Sequence, residues 1–424
     1  MEKYLDRLSK ELKGLIKLAG DIASENNMSA YLVGGFVRDL ILRVKNFDLD
    51  IVVEGDGIKF AEDFCSHLKA RLITHRRFGT ATIIIRPGLK VDIATARKEV
   101  YPEPASLPAV KFATLKDDLQ RRDFTINAIA VSINHQDRGA LIDFFDGIGD
   151  LRNKKIRVLH TLSFIDDPTR ILRAVRFEKR FNFKIEARTL RLIKEASGID
   201  MLNKIQPQRL RDELILILEE RQPLKYLKRV EELAGFTFLS PRLLRSKIDY
   251  NLLRAIEKQI RWFQMHYRQR RALDGWLIYF IGLLDKLAKK DAQHICHRLA
   301  LKKGETKRVM AYKNANRQFI RRLSKRSAGP SEIFGLLESL SYEVIVLLKA
   351  KFKNRQFTKH IKDFLEVYNG VRLYITGDDL NRLGVRPGPC YRRIFNKTLK
   401  AKLDGTIKTK KDELSFVKSI VKVK

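Results

Sequence analysis

Cysteine is scarce: the chain has three, Cys65, Cys296 and Cys390, far apart and without a Cys-x-x-Cys pair. That spacing excludes a disulfide framework and a cysteine-based zinc site, and such usage fits a cytosolic protein. Long apolar runs are missing as well. No stretch reaches the ~18 residues of a membrane span, and Met1-Glu2-Lys3-Tyr4 does not open the apolar core of a secretory leader. There is no internal repeat and no low-complexity tract. Beyond residue 150 the shortage is of acid. Residues 1–150 hold 22 basic and 22 acidic side chains, so the other 274 residues hold 63 basic and 28 acidic ones and the whole net charge of +35. An excess that large excludes a merely solubilising role for the charge and calls for a polyanionic partner, nucleic acid before membrane surface.

The chain is long enough, at 424 residues, for two to four domains, and 44% hydrophobic content is enough to build their cores. Periodicity predicts one helix within residues 1–30, then apolar strand-like runs at Ala30–Val33, Phe47–Val53, Thr80–Ile85, Lys90–Ala94 and Ile126–Ile133. Helices from Phe36 to Val44 and from Ile58 to Leu68 interrupt them. After Asp146-Gly147-Ile148-Gly149 the pattern turns helical, at 168–181, 186–196, 207–219, 222–233 and 250–267, with a later apolar helix from Ile333 to Phe352. The outline is an α/β or α+β catalytic module followed by a basic all-helical extension.

Asp48-Leu49-Asp50 lies inside one of the apolar runs, and a strand's period of two turns both carboxylates the same way. The bland alternative is a hairpin with two solvated aspartates. Paired hard oxygen donors on a rigid strand suit Mg²⁺ ions that hold a nucleotide's phosphates. Just before them, Leu32-Val33-Gly34-Gly35-Phe36-Val37-Arg38-Asp39 sets a glycine turn between a strand and a helix. Glycine lets backbone N–H groups approach a phosphate at a helix N-terminus, although the Gly-Lys-Ser/Thr ending of a Walker A loop is absent. Arg38 is placed to meet phosphate, while Asp39 either orients arginines or forms a structural ion pair. Asp92 is a third acid able to approach the metal pair. In Arg121-Arg122-Asp123, alternation along an extended chain predicts one arginine facing the site and one facing away, with Asp123 fixing an arginine.

Asp166-Asp167-Pro168-Thr169-Arg170-Ile171-Leu172-Arg173-Ala174-Val175-Arg176-Phe177 reads as a capped helix start with a slanted arginine stripe. It is either a solvated basic face or a base reader, in which Asp167 and Arg170 meet a Watson–Crick edge and the other arginines meet phosphate. Basic stretches such as 261–271, where aromatics are interleaved, and 321–326 could grip RNA, although most of the aromatics in the basic half read as helical core.

Taken in order, Leu-Val-Gly-Gly-Phe-Val-Arg-Asp, Asp-Leu-Asp-Ile-Val-Val-Glu-Gly-Asp, Arg-Arg-Asp-Phe-Thr-Ile-Asn-Ala-Ile-Ala and Asp-Asp-Pro-Thr-Arg-Ile-Leu-Arg-Ala-Val-Arg-Phe resemble the class II tRNA nucleotidyltransferase and bacterial poly(A) polymerase family. The resemblance covers roughly residues 30–220 and includes Pro207 to Leu214, which resembles the family's later helical motif. It implies a polymerase-beta-like α+β nucleotidyltransferase head with a mixed sheet over 1–146. A helical neck over 147–225, a body over 226–330 and a basic tail over 331–424 would follow. It implies catalysis and Mg²⁺ binding by Asp48 and Asp50. Gly34, Gly35, Arg38 and Arg121 would contact the nucleotide, Asp167 and Arg170 would select C or A, and Arg173 and Arg176 would support them. The implied substrates are CTP and ATP, and the implied partner is the acceptor and TΨC side of tRNA in the cytoplasm. Addition of the full CCA end is the first expectation, addition of the terminal A alone the second and poly(A) synthesis the third. Asp166 stands where many members have Glu. Two rivals remain: a catalytically inactive RNA-binding relative, and a small-molecule nucleotidyltransferase, which would not need the basic half.

Overall fold

The computed structural model of the chain describes residues 2–44, 48–245 and 248–422. It divides into two compact units, Met1–Ile217 with Lys225–Phe238, and Leu218–Leu224 with Leu239–Lys424.

The first unit opens with α1 (Glu2–Leu5) and α2 (Lys10–Glu25), where a single helix was expected. The break is local chemistry: Ser9 accepts from the Leu12 N–H and caps α2. One face of α2 buries Leu12, Leu15, Ile16, Ala19 and Ile22. Gly20 lies so close to the backbone that an added Cβ would come 2.0 Å from the Ile133 carbonyl oxygen. Then follow β1 (Ser29–Val33), α3 (Gly34–Leu42), β2 (Asp48–Glu54), α4 (Gly57–Ser66), β3 (Arg71–His75), β4 (Thr80–Arg86) and β5 (Leu89–Thr95). Phe47, the expected first residue of the β2 run, lies outside the described residues. A hairpin of β6 (Arg97–Val100) and β7 (Ala109–Phe112), the helix α5 (Leu115–Gln120), β8 (Ala130–Ser132) and β9 (Leu141–Ile142) complete the sheet region. The run Ile126–Ile133, expected as one strand, begins instead as a tight turn at Thr125–Asn127 and pairs only from Ala130.

Seven strands form one mixed sheet in the order β3-β4-β5-β2-β1-β8-β9. Within this sheet, among the described residues, only β2 and β5 run parallel; their register sets Asp48 opposite Lys90 and Asp50 opposite Asp92. Along β2, Leu49, Ile51 and Val53 are buried on one face, while Val52 on the other packs with Val33, Leu115 and Leu119. That second face carries Asp48 and Asp50. Glu54, further along it, accepts from the Leu115 N–H and anchors the start of α5.

The chain continues through α6 (Gly147–Arg152), β10 (Lys155–Ile156), α7 (Ser163–Asp166), α8 (Thr169–Phe181), β11 (Lys184–Ile185), α9 (Ala187–Gly198), α10 (Pro207–Leu218) and α11 (Pro223–Ala234). The sequence's helical period anticipated α8 to α11 closely, because their apolar residues recur on one face.

The second unit is helical. Tyr250–His266 packs against Gly275–Leu283 and Tyr342–Lys351, both of which are buried nearly all round. The apolar run expected as one helix from Ile333 to Phe352 is two, Pro330–Leu337 and Tyr342–Lys351, with Ser341 at the start of the second. Ser339 and Ser341 favour turn and cap geometry over helix interior. The lysine-rich end forms Pro389–Leu403 and Lys410–Lys422 around Ile375, Leu380, Ile394 and Val417. Among the described residues no helix is long and apolar enough to cross a membrane.

Glu343 is fully buried in this unit and takes both arms of Arg271, at 2.7 and 2.8 Å, and the Asp274 N–H at 3.2 Å. Burial raises its pKa, but the Arg271 bonds and backbone N–H groups outweigh it and hold the carboxyl at about 2. A carboxyl depressed below its unfolded value stabilises fully above the unfolded pKa and loses that contribution as pH falls through the folded one. Glu343→Gln should therefore cost roughly 2–4 kcal/mol near neutral pH. The gap from the parent should narrow between about pH 4.5 and pH 2, as read by denaturant unfolding at a series of pH values.

Candidate functional site

The site begins where β1 hands over to α3. Gly34 has φ +68°, and a Cβ there would stand 2.6 Å from Arg122 Nη1 and 3.6 Å from Asp50 Oδ2. The left-handed conformation favours glycine here, and a Cβ would displace the tip of Arg122. One turn on, the buried Arg38 donates from Nη1 to Asn127 Oδ1 at 2.7 Å and from Nε to Asp39 Oδ1 at 2.8 Å. Its guanidinium lies 5.1 and 4.7 Å from the ring centres of Phe177 and Phe181. The two readings of Asp39 thus coincide: it is a structural ion pair that orients an arginine.

Asp50 lies deeper than the exposed Asp48. Burial pushes its carboxyl up to about 6; Arg122 opposes the rise, and Asp92 and Asp48 add to it. Asp92 sits beside it across the parallel pairing, accepting from Thr82 Oγ1 and Lys90 Nζ, each at 2.6 Å. These are hard oxygen donors whose mutual repulsion a divalent cation would relieve, so the set fits one chemically. Among the described residues no three His, Cys, Asp or Glu side chains converge as a closed cage. An open pair of this kind suits an ion that completes its shell with water and substrate phosphate.

Arg121 and Arg122 do not alternate. Both line the cavity, because Arg121 closes α5 in helical geometry instead of lying on a strand. The fully buried Asp118 grips both: Arg121 donates to Oδ1 and Arg122 to Oδ2. Burial raises the Asp118 pKa, but the two guanidiniums together take it below the ordinary value. Arg121 also donates to Glu99, which accepts from the Tyr101 hydroxyl. Asp123 fixes an arginine, as expected: Arg173 donates to its Oδ2 from Nε and Nη2 at 2.8 and 2.6 Å.

On α8 the arginine stripe resolves into different environments. Arg170 is buried, donating to Ser163 Oγ at 2.6 Å and the Arg121 carbonyl at 2.7 Å. Arg173 is shared between Asp123 and Glu213, whereas Arg176 bonds Glu213 and does not line the cavity. Both arginines are paired with carboxylates, and through Glu213 they brace α8 against α10. Asp167 caps α8 by accepting from the Thr169 N–H and hydroxyl on Oδ1, and it takes Arg209 on Oδ2.

The result is a cavity of about 480 Å³, walled by Gly34, Gly35, Asp50 and Asp167 and by the arginines 38, 121, 122, 170, 173 and 209. Sequence reasoning missed Arg122 and Arg209 here, and also Tyr101 and Asn127. Alternation admitted only one of Arg121 and Arg122, the resemblance supplied Arg121, and nothing in the sequence tied Arg209 to Asp167. A larger cavity of about 680 Å³ in the second unit involves Glu257, Arg261, Asp274 and Trp276. Two of its acids pair with bases, Glu257 with Arg261 and Asp274 with Arg308, and of the arginines only Arg221 and Arg261 line it.

Residues 30–157 match the model of the poly A polymerase head domain, and residues 182–245 match that of a probable RNA and SrmB-binding site of polymerase A. An A-adding tRNA nucleotidyltransferase of Halalkalibacterium halodurans is 32% identical over 414 residues, covering 95% of this chain and 91% of that protein. The chain belongs to the tRNA nucleotidyltransferase family. An A-adding relative from Geobacter sulfurreducens is 38% identical over 96% of this chain, which spans about half (47%) of that protein's length. A Thermotoga maritima CCA-adding enzyme solved with tRNA superposes with a TM-score of 0.74 at 35% identity, over 99% of this chain and 98% of the other. That family is one of metal-dependent nucleotidyltransferases.

Gly34→Ala should destabilise the first unit by about 1–2 kcal/mol, the cost of a left-handed alanine. It should also push Arg122 aside and, in a cavity that takes a nucleotide as proposed below, weaken nucleotide binding roughly tenfold. Thermal melting and a nucleotide titration read the two effects separately.

Proposed function

We propose that the chain is a tRNA nucleotidyltransferase that builds or completes the 3′-terminal CCA of tRNA from CTP and ATP without a nucleic-acid template. The observation that carries this is the single cavity in which six arginines and Asp167 meet the face of β2 that bears Asp50. A nucleoside triphosphate needs cationic donors for its phosphates, a polar edge for its base and a neighbouring site for a divalent ion.

In this reading Asp48 and Asp50 hold Mg²⁺, which when bound would polarise the RNA 3′-hydroxyl and stabilise departing pyrophosphate. The Gly34-Gly35 turn lets the backbone approach phosphate, and Arg38, Arg121 and Arg122 hold the phosphates and sugar in a fixed pose. Asp167 accepts from the amino group of adenine or cytosine while Arg170 donates to the neighbouring ring nitrogen. Arg173 and Arg176 act through their carboxylate partners, keeping α8 in position. Residues 1–146 would form the catalytic head, 147–225 the neck, 226–330 the body and 331–424 the tail. The basic excess beyond residue 150 would bind the acceptor and TΨC side of tRNA in the cytoplasm.

A narrower reading, addition of the terminal A alone to tRNA ending in CC, is favoured by the names of the two relatives above. One gel separates the readings. With tRNA ending before CCA, after C or after CC, supplied with CTP, ATP or both, product lengths distinguish CCA, CC, A and poly(A) addition. Asp48→Ala and Asp50→Ala should each lower nucleotide addition at least a thousandfold while tRNA binding persists; unchanged incorporation would refute the assignment. RNA affinity should also fall steeply with salt, by about 10³ or more between 50 and 200 mM if six or more phosphates are neutralised. A flat response would favour a small-molecule substrate.

A further inference from the structure

Arg209, the third residue of α10, reaches the cavity from a part of the sequence 42 residues beyond Asp167. Its Nη2 donates to Asp167 Oδ2 at 2.7 Å. The other oxygen of Asp167 is already fixed by the Thr169 N–H at 3.1 Å and hydroxyl at 2.5 Å. Both carboxylate oxygens are therefore aimed by protein donors, one by the start of α8 and one by α10. Arg209 Nη1 is shut off from solvent and has no hydrogen-bond partner among the described residues, although the side chain lines the cavity. A buried N–H donor without an acceptor is unfavourable, and a ligand that brings an acceptor to it relieves the penalty. Arg170 differs: its two terminal nitrogens already bond Ser163 and the Arg121 carbonyl.

We propose that Arg209 is a specificity-determining residue for the incoming base, a third group beside Asp167 and Arg170. Through Nη2 it holds Asp167 Oδ2 in the direction from which it accepts an exocyclic amino group. Through Nη1 it offers a second donor beside Arg170, whose terminal nitrogens already bond protein acceptors, to the acceptor edge next to the base's amino group. Adenine and cytosine present an amino donor beside a ring-nitrogen acceptor; guanine and uracil present a carbonyl beside a ring N–H. A fixed acceptor next to a fixed donor matches the first pair and opposes the second, which would leave site groups unpaired.

This inference rests on the nucleotidyltransferase reading above, and the experiment separates the two. The full chain and its Arg209→Ala and Arg209→Lys variants are given tRNA ending in CC, with each of ATP, CTP, GTP and UTP in turn, to measure kcat and KM. Binding of the same four nucleotides to the protein without RNA is measured by calorimetry. Arg209→Ala should raise KM and Kd for the accepted nucleotide ten- to a hundredfold. It should also lower the preference for amino over keto bases at least tenfold, a change that general loosening of α10 would not produce. Lysine keeps the charge without the planar fork and should restore affinity in part but not selectivity. Should the alanine variant fail to fold, as judged by melting, the lysine variant alone decides. Full parental selectivity in the folded variants would overturn the role of Arg209, whereas a parent chain that adds no nucleotide but still binds amino bases selectively through Arg209 would overturn only the reaction.

Discussion

The buried carboxylate of Asp123 is the contact on which the candidate site's geometry depends. Its Oδ1 accepts from the Phe124 N–H and from Asn127 Nδ2, and its Oδ2 takes both Nε and Nη2 of Arg173. Burial works against the charge, yet Arg173 and Asn127 hold the carboxyl at about 2, so the group is ionised throughout the ordinary pH range. From that one residue the bonding runs in two directions. Through Asn127 Oδ1 it reaches Arg38 on the helix behind the glycine turn. Through Arg173 it reaches Glu213 on α10, and from there Arg176. Removing one partner of such a buried pair typically costs 3–5 kcal/mol, because the other charge is left without compensation. The glycine turn, α8 and α10 are thereby held in one arrangement.

The same logic explains how so many guanidiniums share one cavity. Like charges this close repel, and each arginine that lines the space is tied to an acid or a carbonyl: Arg38 to Asp39, Arg121 and Arg122 to Asp118, Arg170 to the Arg121 carbonyl, Arg173 to Asp123 and Arg209 to Asp167. Pinning a planar fork in advance removes the entropy that a flexible lysine would lose on meeting a phosphate. It also means that the donors need little reorganisation when negative charge arrives, which is the basis of preorganised electrostatic stabilisation.

What could be read from the sequence follows from how local the determining interactions are. The two-residue period of a strand was enough to put Asp48 and Asp50 on one face, and β2 bears this out. Helices α8 to α11 were visible because a helix buries residues from its own sequence period. Asp92 beside Asp50 depends on a parallel pairing between β2 and β5, whose connection passes through α4, β3 and β4, and no local signal gives that register. Strands β3, β6 and β7 carry mixed polar residues with little burial, so alternation is too faint to mark them. The arginine pair at 121–122 was misread because alternation holds only on extended chain, and Arg121 closes a helix. Arg209 was invisible for a different reason: its partner is set by the packing of α10 against the start of α8.

Formal charge, finally, is a poor guide to where a cationic site lies. Residues 1–150 are neutral in sum, and it is the remainder that looks like a polyanion binder. Yet Arg38, Arg121 and Arg122 stand in the neutral half, and their neutrality comes from Asp39, Asp118 and Glu99, the acids that orient them. Acids placed to pair with them are therefore part of what holds such an arginine wall rigid. The basic excess further along works by a different rule. Its many exposed lysines and arginines act at range and weaken with salt, whereas the paired arginines act at contact, where screening is slight. In the proposed function the two kinds of positive charge would serve separate tasks: one would gather a large polyanion, and the other would fix a small one to within a hydrogen bond.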